Sequence, residues 1–331
     1  MFIIETYSTA VLFCVITMFC WGSWANTQKL AASTWRFELF YWDYVLGIVL
    51  TSLLFAFTLG SMGEGGRGFM EDIQQADQSN IGSAILGGII FNAANILLVA
   101  AIAIAGMSVA FPVGIGLALV IGVIVNYIDL PVGNAQMIFG GVALISAAIL
   151  LNAFAYRRTA AQSENVSTKG LALSIISGIM MGLFYKYVAA SMFPDFNNPE
   201  AGKLSPYTAI VFFAVGILLS NFFFNSLLMK KPFTGAPVSY GDYFNGSFKN
   251  HLTGILGGVI WCIGMSFSII ASGKAGTAIS YGLGQGATVV AAIWGIYIWK
   301  EFKGAPKGTT AILNIMLLCY LIGLALIIAA R

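Results

Sequence analysis

Charge is what this sequence has least of: 9% of its 331 residues are charged, against roughly 25% in a soluble domain. A chain so poor in charge could not cover itself with polar groups in water, which excludes an ordinary soluble globular protein. A lipid-facing outer surface removes the shortfall. The net charge of +3 is too small to imply a nucleic-acid partner. Histidine occurs once, at His251, which excludes a His-based metal site or a multi-His catalytic centre. Cysteine is scarce too. Cys14, Cys20, Cys262 and Cys319 all fall in apolar runs without paired spacing, and read as small buried hydrophobes, not disulfide or metal partners. No ordered nucleophile–base or metal constellation can be assembled, which argues against a membrane-embedded enzyme, and no cofactor is implied. The first apolar run lacks a basic lead and ends in Trp21 and Trp24, where cleavage would need small residues, so no cleavable signal peptide is expected.

What the chain has in abundance is apolar sequence: 59% hydrophobic residues, a mean hydropathy of +0.87 and 38 glycines. Crossing the hydrocarbon core takes about 20 mostly apolar residues per helix. Spans are predicted near 6–26, 39–60, 81–104, 107–128, 133–155, 169–192, 206–229, 252–272, 276–299 and 308–330. Gly106 is the expected break between the third and fourth, and Lys274 and Gly276 divide the eighth from the ninth. The polar connectors, 61–80, 157–168, 193–205 and 230–251, are too short for a soluble domain, so function must sit among the helices. Lys29, Arg36, Arg157, Arg158, Lys169, Lys230, Lys231, Lys249, Lys300, Lys303 and Lys307 fall on one side. Arg67, Lys203, Lys274 and Arg331 fall on the other. The excess of positive charge marks the first side as cytoplasmic and puts both termini outside.

The strongest internal signal is self-similarity. Ile85-Leu86-Gly87-Gly88 recurs as Ile255-Leu256-Gly257-Gly258, an offset of 170 residues that also aligns Asn80 with Asn250, Phe111 with Tyr281, Gly114 with Gly284 and Gly116 with Gly286. The expected fold is therefore an all-α integral membrane protein of ten transmembrane helices in two inverted five-helix repeats, residues 1–156 and 169–331, joined by a short linker at 157–168. Two halves of nearly equal energy can exchange conformations, so a site between them opens to one side or the other. An anchor or scaffold has no need of that symmetry.

Ten helices in inverted halves resemble the drug/metabolite transporter superfamily over the whole chain. The run Cys20-Trp21-Gly22-Ser23-Trp24-Ala25-Asn26-Thr27-Gln28-Lys29, followed by Trp35-Arg36-Phe37-Glu38-Leu39-Phe40-Tyr41-Trp42-Asp43-Tyr44, resembles the ureide permease family and its bacterial relatives. That group neighbours the glucose/ribose-uptake and rhamnose–proton symporter families. The resemblance implies proton-coupled uptake of a small polar neutral solute, either a ureide or oxo-nucleobase such as allantoin or uracil, or a monosaccharide. Plant members carry a long central cytosolic loop. The short 157–168 connector here favours a bacterial relative in an inner membrane.

Ionisable and polar residues inside the spans are the functional candidates. Glu38 and Asp43 open the second span, where a partly desolvated carboxylate could exchange a proton near neutral pH. They could equally be interfacial anchors paired with Lys29 or Arg36. Lys186, mid-way along the sixth span, faces a central cavity or snorkels to the outer interface. Asn92 and Asn95 share a face of the third span with Gly88 and contact either substrate or a neighbouring helix. Trp261, aligned with Phe91 by the offset, could stack on a flat ring. Trp21 and Trp24 could do the same or belong to an interfacial belt. Gln285 lies between Gly284 and Gly286, with Pro112 and Gly114 in the mirror span, and interruptions of this kind in matched halves point to a central site.

Gly63-Glu64-Gly65-Gly66-Arg67-Gly68 matches G-x-G-x-x-G, but no strand–helix unit surrounds it. The sequons Asn165-Val166-Ser167 and Asn245-Gly246-Ser247 are expected in the cytosol. The rival readings are an exporter of metabolites or drugs on the same fold, and a channel, which would not need matched halves around a closed midplane site. The expected partners are a small polar solute, protons and the lipid bilayer, and the fold is compatible with a homodimer.

Overall fold

The computed structural model describes residues 1–31, 34–105, 107–159, 167–233 and 235–331. Gly106, Asn165, Val166 and most of the 157–168 linker lie outside the described residues, as does the side chain of Pro112. In chain order the helices are α1 (Tyr7–Ser23), α2 (Ala25–Ala31), α3 (Phe37–Phe57), α4 (Phe69–Gln75), α5 (Gln78–Ala105), α6 (Met107–Asp129) and α7 (Ala135–Thr159). There follow α8 (Thr168–Ser191), α9 (Pro206–Lys230), α10 (Tyr240–Phe244), α11 (Phe248–Ala275), α12 (Thr277–Gly284), α13 (Ala287–Ile293), a π-helical turn (Trp294–Ile298) and α14 (Thr309–Ala329). Among the described residues no β-strand forms. Among the described residues nine helical stretches are long and apolar enough to cross a membrane, and Val113–Asp129 of α6 is a shorter apolar helix.

Local chemistry sets the ends. Thr6, Ser167, Ser205 and Ser247 cap the N-termini of α1, α8, α9 and α11 by accepting a backbone N–H three residues on, a donor the helix cannot use itself. Pro206 follows its cap at the first helical position, where a missing N–H costs nothing. Two expected spans are not single helices. The first extends to Ala31 with a break at Trp24, and the ninth divides into α12, α13 and the π turn. The second break falls at Gln285 and Gly286, where the Gly286 N–H bonds back to the Leu283 carbonyl at 2.9 Å. A tight turn replaces the helical ladder there. Gly276, with φ of 84°, joins α11 to α12, a left-handed conformation that favours glycine.

Glycines set the closest helix contacts. A Cβ on Gly258 of α11 would collide with the Tyr44 carbonyl of α3, and one on Gly47 of α3 with the Ile255 carbonyl of α11. The same pairing recurs between α5 and α9: Gly88 meets the Phe213 carbonyl and Gly216 the Ile85 carbonyl. α1 packs on α11, α12 and α13, α8 on α5 and α6, and α7 on α14. Lipid offers no hydrophobic drive between helices, so such close approach and inter-helix hydrogen bonds hold the bundle. Thr17 Oγ1 donates to the Gly264 carbonyl at 2.9 Å, and Ser177 Oγ to the Ala94 carbonyl at 2.8 Å. Large apolar side chains such as Leu54, Phe223, Leu318 and Leu321 point outward, while Asn92, Asn126 and Asn221 are fully buried, the polarity expected when lipid is the outer solvent.

The two ends differ. At one, Lys29, Arg36, Arg158, Lys231, Lys300 and Lys307 gather, and Arg158 donates to the Lys307 carbonyl at 2.8 Å. At the other, the 58–77 and 192–205 connectors interlock. Arg67 donates to Asp72, which is fully buried, and to the Glu200 and Lys203 carbonyls. The Ser205 N–H donates to Asp72 at 2.7 Å, and the Met1 ammonium to the Gly65 carbonyl at 2.5 Å. Burial of that ammonium lowers its pKa from the ordinary α-amino value.

Candidate functional site

A cavity of about 520 Å³ enters the bundle from the basic end, with Lys29 and Glu301 at its mouth. That is the size of a small-molecule site, usually about 300–1,000 Å³. Its walls come from a few separate stretches of the chain: Trp21 and Trp24 from the first span, Asn26 and Gln28 from α2, Asn95 from α5, Asn152 and Tyr156 from α7. Thr288 of α13, Trp294, Trp299 and Tyr320 of α14 complete it.

The breaks in the first and ninth spans position these walls. Where α1 gives way to α2 at Trp24, the indole tilts onto Tyr44, with ring centroids 4.8 Å apart. Trp21 stacks on Trp261 at 6.0 Å and donates its indole N–H to the Trp261 carbonyl. Trp294 donates to Ser23 Oγ at 2.9 Å, and Trp299 to Asn26 Oδ1 at 2.7 Å. Three indole N–H groups are thus spent within the protein, so Trp21, Trp294 and Trp299 offer the cavity ring surface rather than donors. Beneath Trp21 lies an aromatic floor in which Trp261 meets Phe91 at 4.5 Å and Phe213 at 6.0 Å.

The polar groups are fewer and specific. The Tyr41 hydroxyl accepts from Asn95 Nδ2 at 3.1 Å and donates to Asn92 Oδ1 at 2.8 Å, which fixes the Asn95 amide at the cavity wall. Asn152 Oδ1 and the Tyr320 hydroxyl are buried and have no hydrogen-bond partner among the described residues, yet both residues line the cavity. An unmet buried polar group costs about 1–3 kcal/mol, so both sites favour a solute that supplies the missing bond. At the mouth, Lys29 Nζ lies 2.6 Å from Glu301 Oε1 and 4.3 Å from the Trp299 ring centroid, and Tyr156 donates to Glu301 Oε2.

Of the residues expected from sequence, Trp21, Trp24 and Asn95 line this cavity, and Asn92, Trp261 and Gln285 lie behind it. Asn92 is clamped to α9 through Ser220 and the Ile217 carbonyl. Gln285 is buried at the α12–α13 turn. Gly284 and Gly286 make room there for Trp21 and Leu324, and Gly114 for Leu98. Lys186 is outside the cavity, half-exposed, and pairs with Asp129 at 3.1 Å.

Glu38 and Asp43 are buried but do not line the cavity. Glu38 holds Arg36 through both carboxylate oxygens. Asp43 accepts from the Trp35 indole at 3.0 Å and the Tyr243 hydroxyl at 2.7 Å, and lies 2.8 Å from His251 Nδ1. Burial and the Asp43 carboxylate push the Tyr243 hydroxyl above its ordinary range. Asn152, Tyr156, Thr288, Trp294, Trp299, Glu301 and Tyr320 are wall residues that sequence reasoning did not single out. The close approach of Trp294, Trp299 and Glu301 after a Gly-Gln-Gly break is the one signal that could have found some of them.

A multi-pass helical protein with a solute-sized pocket in the bundle belongs to the class of membrane transporters. A family model described as "Sugar transport protein" matches residues 12–330, and the chain belongs to that family. It is 24% identical to Ureide permease 1 of Arabidopsis thaliana, over 100% of this chain and 99% of the relative. It is also 26% identical to a Streptococcus pyogenes serotype M1 protein named for sugar uptake, over 73% of this chain and 77% of that protein. One solved crystal structure shares the fold with a TM-score of 0.63, covering 96% of each chain at 13% identity. The family and these named relatives are transporters, and this chain is a small-solute transporter, not an enzyme.

Proposed function

We propose that the protein takes up a small polar neutral solute by alternating access, coupled to protons, across the inner membrane. Both termini lie outside, and the cavity faces the cytoplasm. The observation that carries this reading is the cavity itself: indole faces, the Asn95 amide and the unpartnered Asn152 and Tyr320 groups converge on one pocket. Flat or ring-shaped solutes rich in N–H or O–H groups suit such walls, among them ureides, oxo-nucleobases and monosaccharides. The names of the relatives, ureide permease and sugar uptake protein, point to the first and last of these classes.

The reading rests on ten spans in two inverted repeats, 1–156 and 169–331. Its support is the duplicated glycine contact, in which α3 meets α11 as α9 meets α5. The 58–77 and 192–205 connectors, tied through Arg67 and Asp72, would then form the closed outer gate. We assign Glu38 and Asp43, which sit behind the cavity, to anchoring the inner ends of α3, α10 and α11.

The test is uptake into proteoliposomes of radiolabelled allantoin, uracil, ribose, glucose and rhamnose, with and without an imposed pH gradient. One of these solutes is expected to accumulate only when the outside is acidic. Accumulation of none, under either condition, would count against the proposal.

A further inference from the structure

We infer that Glu301 is the proton-coupling carboxylate, and that its bond to Lys29 is the latch the proton releases. This rests on the transport reading above. A coupling group must meet both the proton and the solute's compartment, and among the described lining residues Glu301 brings the one carboxylate into the cavity. Glu38 and Asp43 are sequestered by Arg36 and by Trp35, Tyr243 and His251, away from the cavity walls.

The placement of Glu301 suits a latch. Its carboxylate sits in the connector after the π turn and grips two other elements, Lys29 on α2 and Tyr156 on α7. A Cβ on Gly295 would lie 2.7 Å from Glu301 Oε2, so glycine there leaves room for the carboxylate. Lys29 also caps the Trp299 ring, and Trp299 in turn binds Asn26 of α2. The mouth of the cavity is thereby tied from the first span to the ninth. Rocking one half against the other would change the spacing of these elements, and the intact bond holds them in the arrangement seen with the cavity open.

Among the described residues, the charged and titratable groups bonded to Glu301 are Lys29 from α2 and Tyr156 from α7, and Lys300 and Lys303 neighbour it in sequence on its own connector. When a proton adds to a Glu301 oxygen, an O–H bond forms and the carboxylate loses its charge. Lys29 keeps its ammonium and loses its counter-charge, so the Coulombic part of the latch is gone. Loss of the proton on the cytoplasmic side restores it. Solute bound against Trp24 and Asn152 is then exchanged with a proton state attached to each conformation.

The experiment uses the full-length protein in proteoliposomes, with radiolabelled allantoin, uracil and glucose as probes, read both as pH-driven accumulation and as solute counterflow. For one proton per solute, the wild type is expected to accumulate up to about tenfold per pH unit. Glu301→Gln is expected to bring accumulation down to equilibration while counterflow persists, the pattern of a carrier uncoupled from its proton. Lys29→Gln is expected to keep accumulation but move its half-maximal pH upward, a shift that a purely structural contact would not give. Glu301→Asp should retain coupling.

Accumulation by Glu301→Gln at wild-type levels would overturn the assignment. Equal loss of accumulation and counterflow in Glu301→Gln, with a monodisperse protein, would overturn it as well by making the residue structural. Wild-type counterflow without any pH-driven accumulation would remove the coupling inference and leave transport standing. Neither activity in the wild type would remove both.

Discussion

Gly258 lies so close to Tyr44 that no Cβ could stand between α11 and the Tyr44 carbonyl, and Gly88 has the same relation to Phe213 in α9. Each contact joins a helix that precedes the 157–168 linker to one that follows it. Because the obstructing atoms are backbone, the neighbours cannot rotate aside. Gly258→Ala and Gly88→Ala are each expected to destabilise the protein by about 1–3 kcal/mol through overpacking, read as a lower thermal midpoint in detergent. Gly82→Ala, with open space around its Cβ position, should change the midpoint little.

Tyr320 offers a cleaner test of the cavity. Its hydroxyl has no hydrogen-bond partner at bonding distance among the described residues, so Tyr320→Phe should remove little that holds the fold. The thermal midpoint should stay or rise, while KM for the transported solute should increase about two- to tenfold, the worth of one hydrogen bond. A fall in stability with unchanged KM would show that the hydroxyl serves the fold and not the solute.

Asp43 is expected to behave in the opposite way. With three groups converging on it at 1% exposure, Asp43→Ala strands buried donors and should cost several kcal/mol by the usual cost of breaking such a network, about 1–3 kcal/mol per unmet group. Tyr243→Phe removes only one of them and should cost less. The Tyr243 hydroxyl is shifted upward by burial and by Asp43. An acid whose folded pKa exceeds its unfolded value contributes stability below the unfolded value, about pH 10 for tyrosine, and loses it as pH rises through the folded value. The alkaline decline of the wild-type midpoint should therefore be shallower in Tyr243→Phe.

Lys186 and Asp129 form a half-exposed pair outside the cavity. Exposed pairs contribute about 0–1 kcal/mol. Lys186→Met should leave KM unchanged and the midpoint nearly so, as measured by the same uptake and melting assays.

Much of the fold was legible because hydrophobic length is a strong one-dimensional signal. The runs ending near Phe57, Ser191 and Lys230 became helices within a few residues of their expected limits. The break at Gln285 was announced by Gly284 and Gly286, but its consequence, a π turn that swings Trp294 and Trp299 toward α2, depends on contacts with Ser23 and Asn26 far away in sequence. Asn92 and Asn95 share a helix face by spacing, yet depth separates them: one is clamped to α9 and the other reaches the cavity. Asn152 and Tyr320 are single polar residues in apolar runs, and periodicity alone does not say whether such a residue faces a cavity, a neighbour or lipid. Glu301 reads as an ordinary connector charge until the fold brings Lys29 to it.

A carrier working by alternating access exposes its binding pocket to one side at a time, and trans-stimulation reads that property. Proteoliposomes preloaded with the unlabelled solute should take up labelled solute several times faster than empty ones, with saturation and with slowing by Tyr320→Phe. Uptake that grows linearly with concentration and ignores internal solute would rule out a carrier and mark the cavity as a pore.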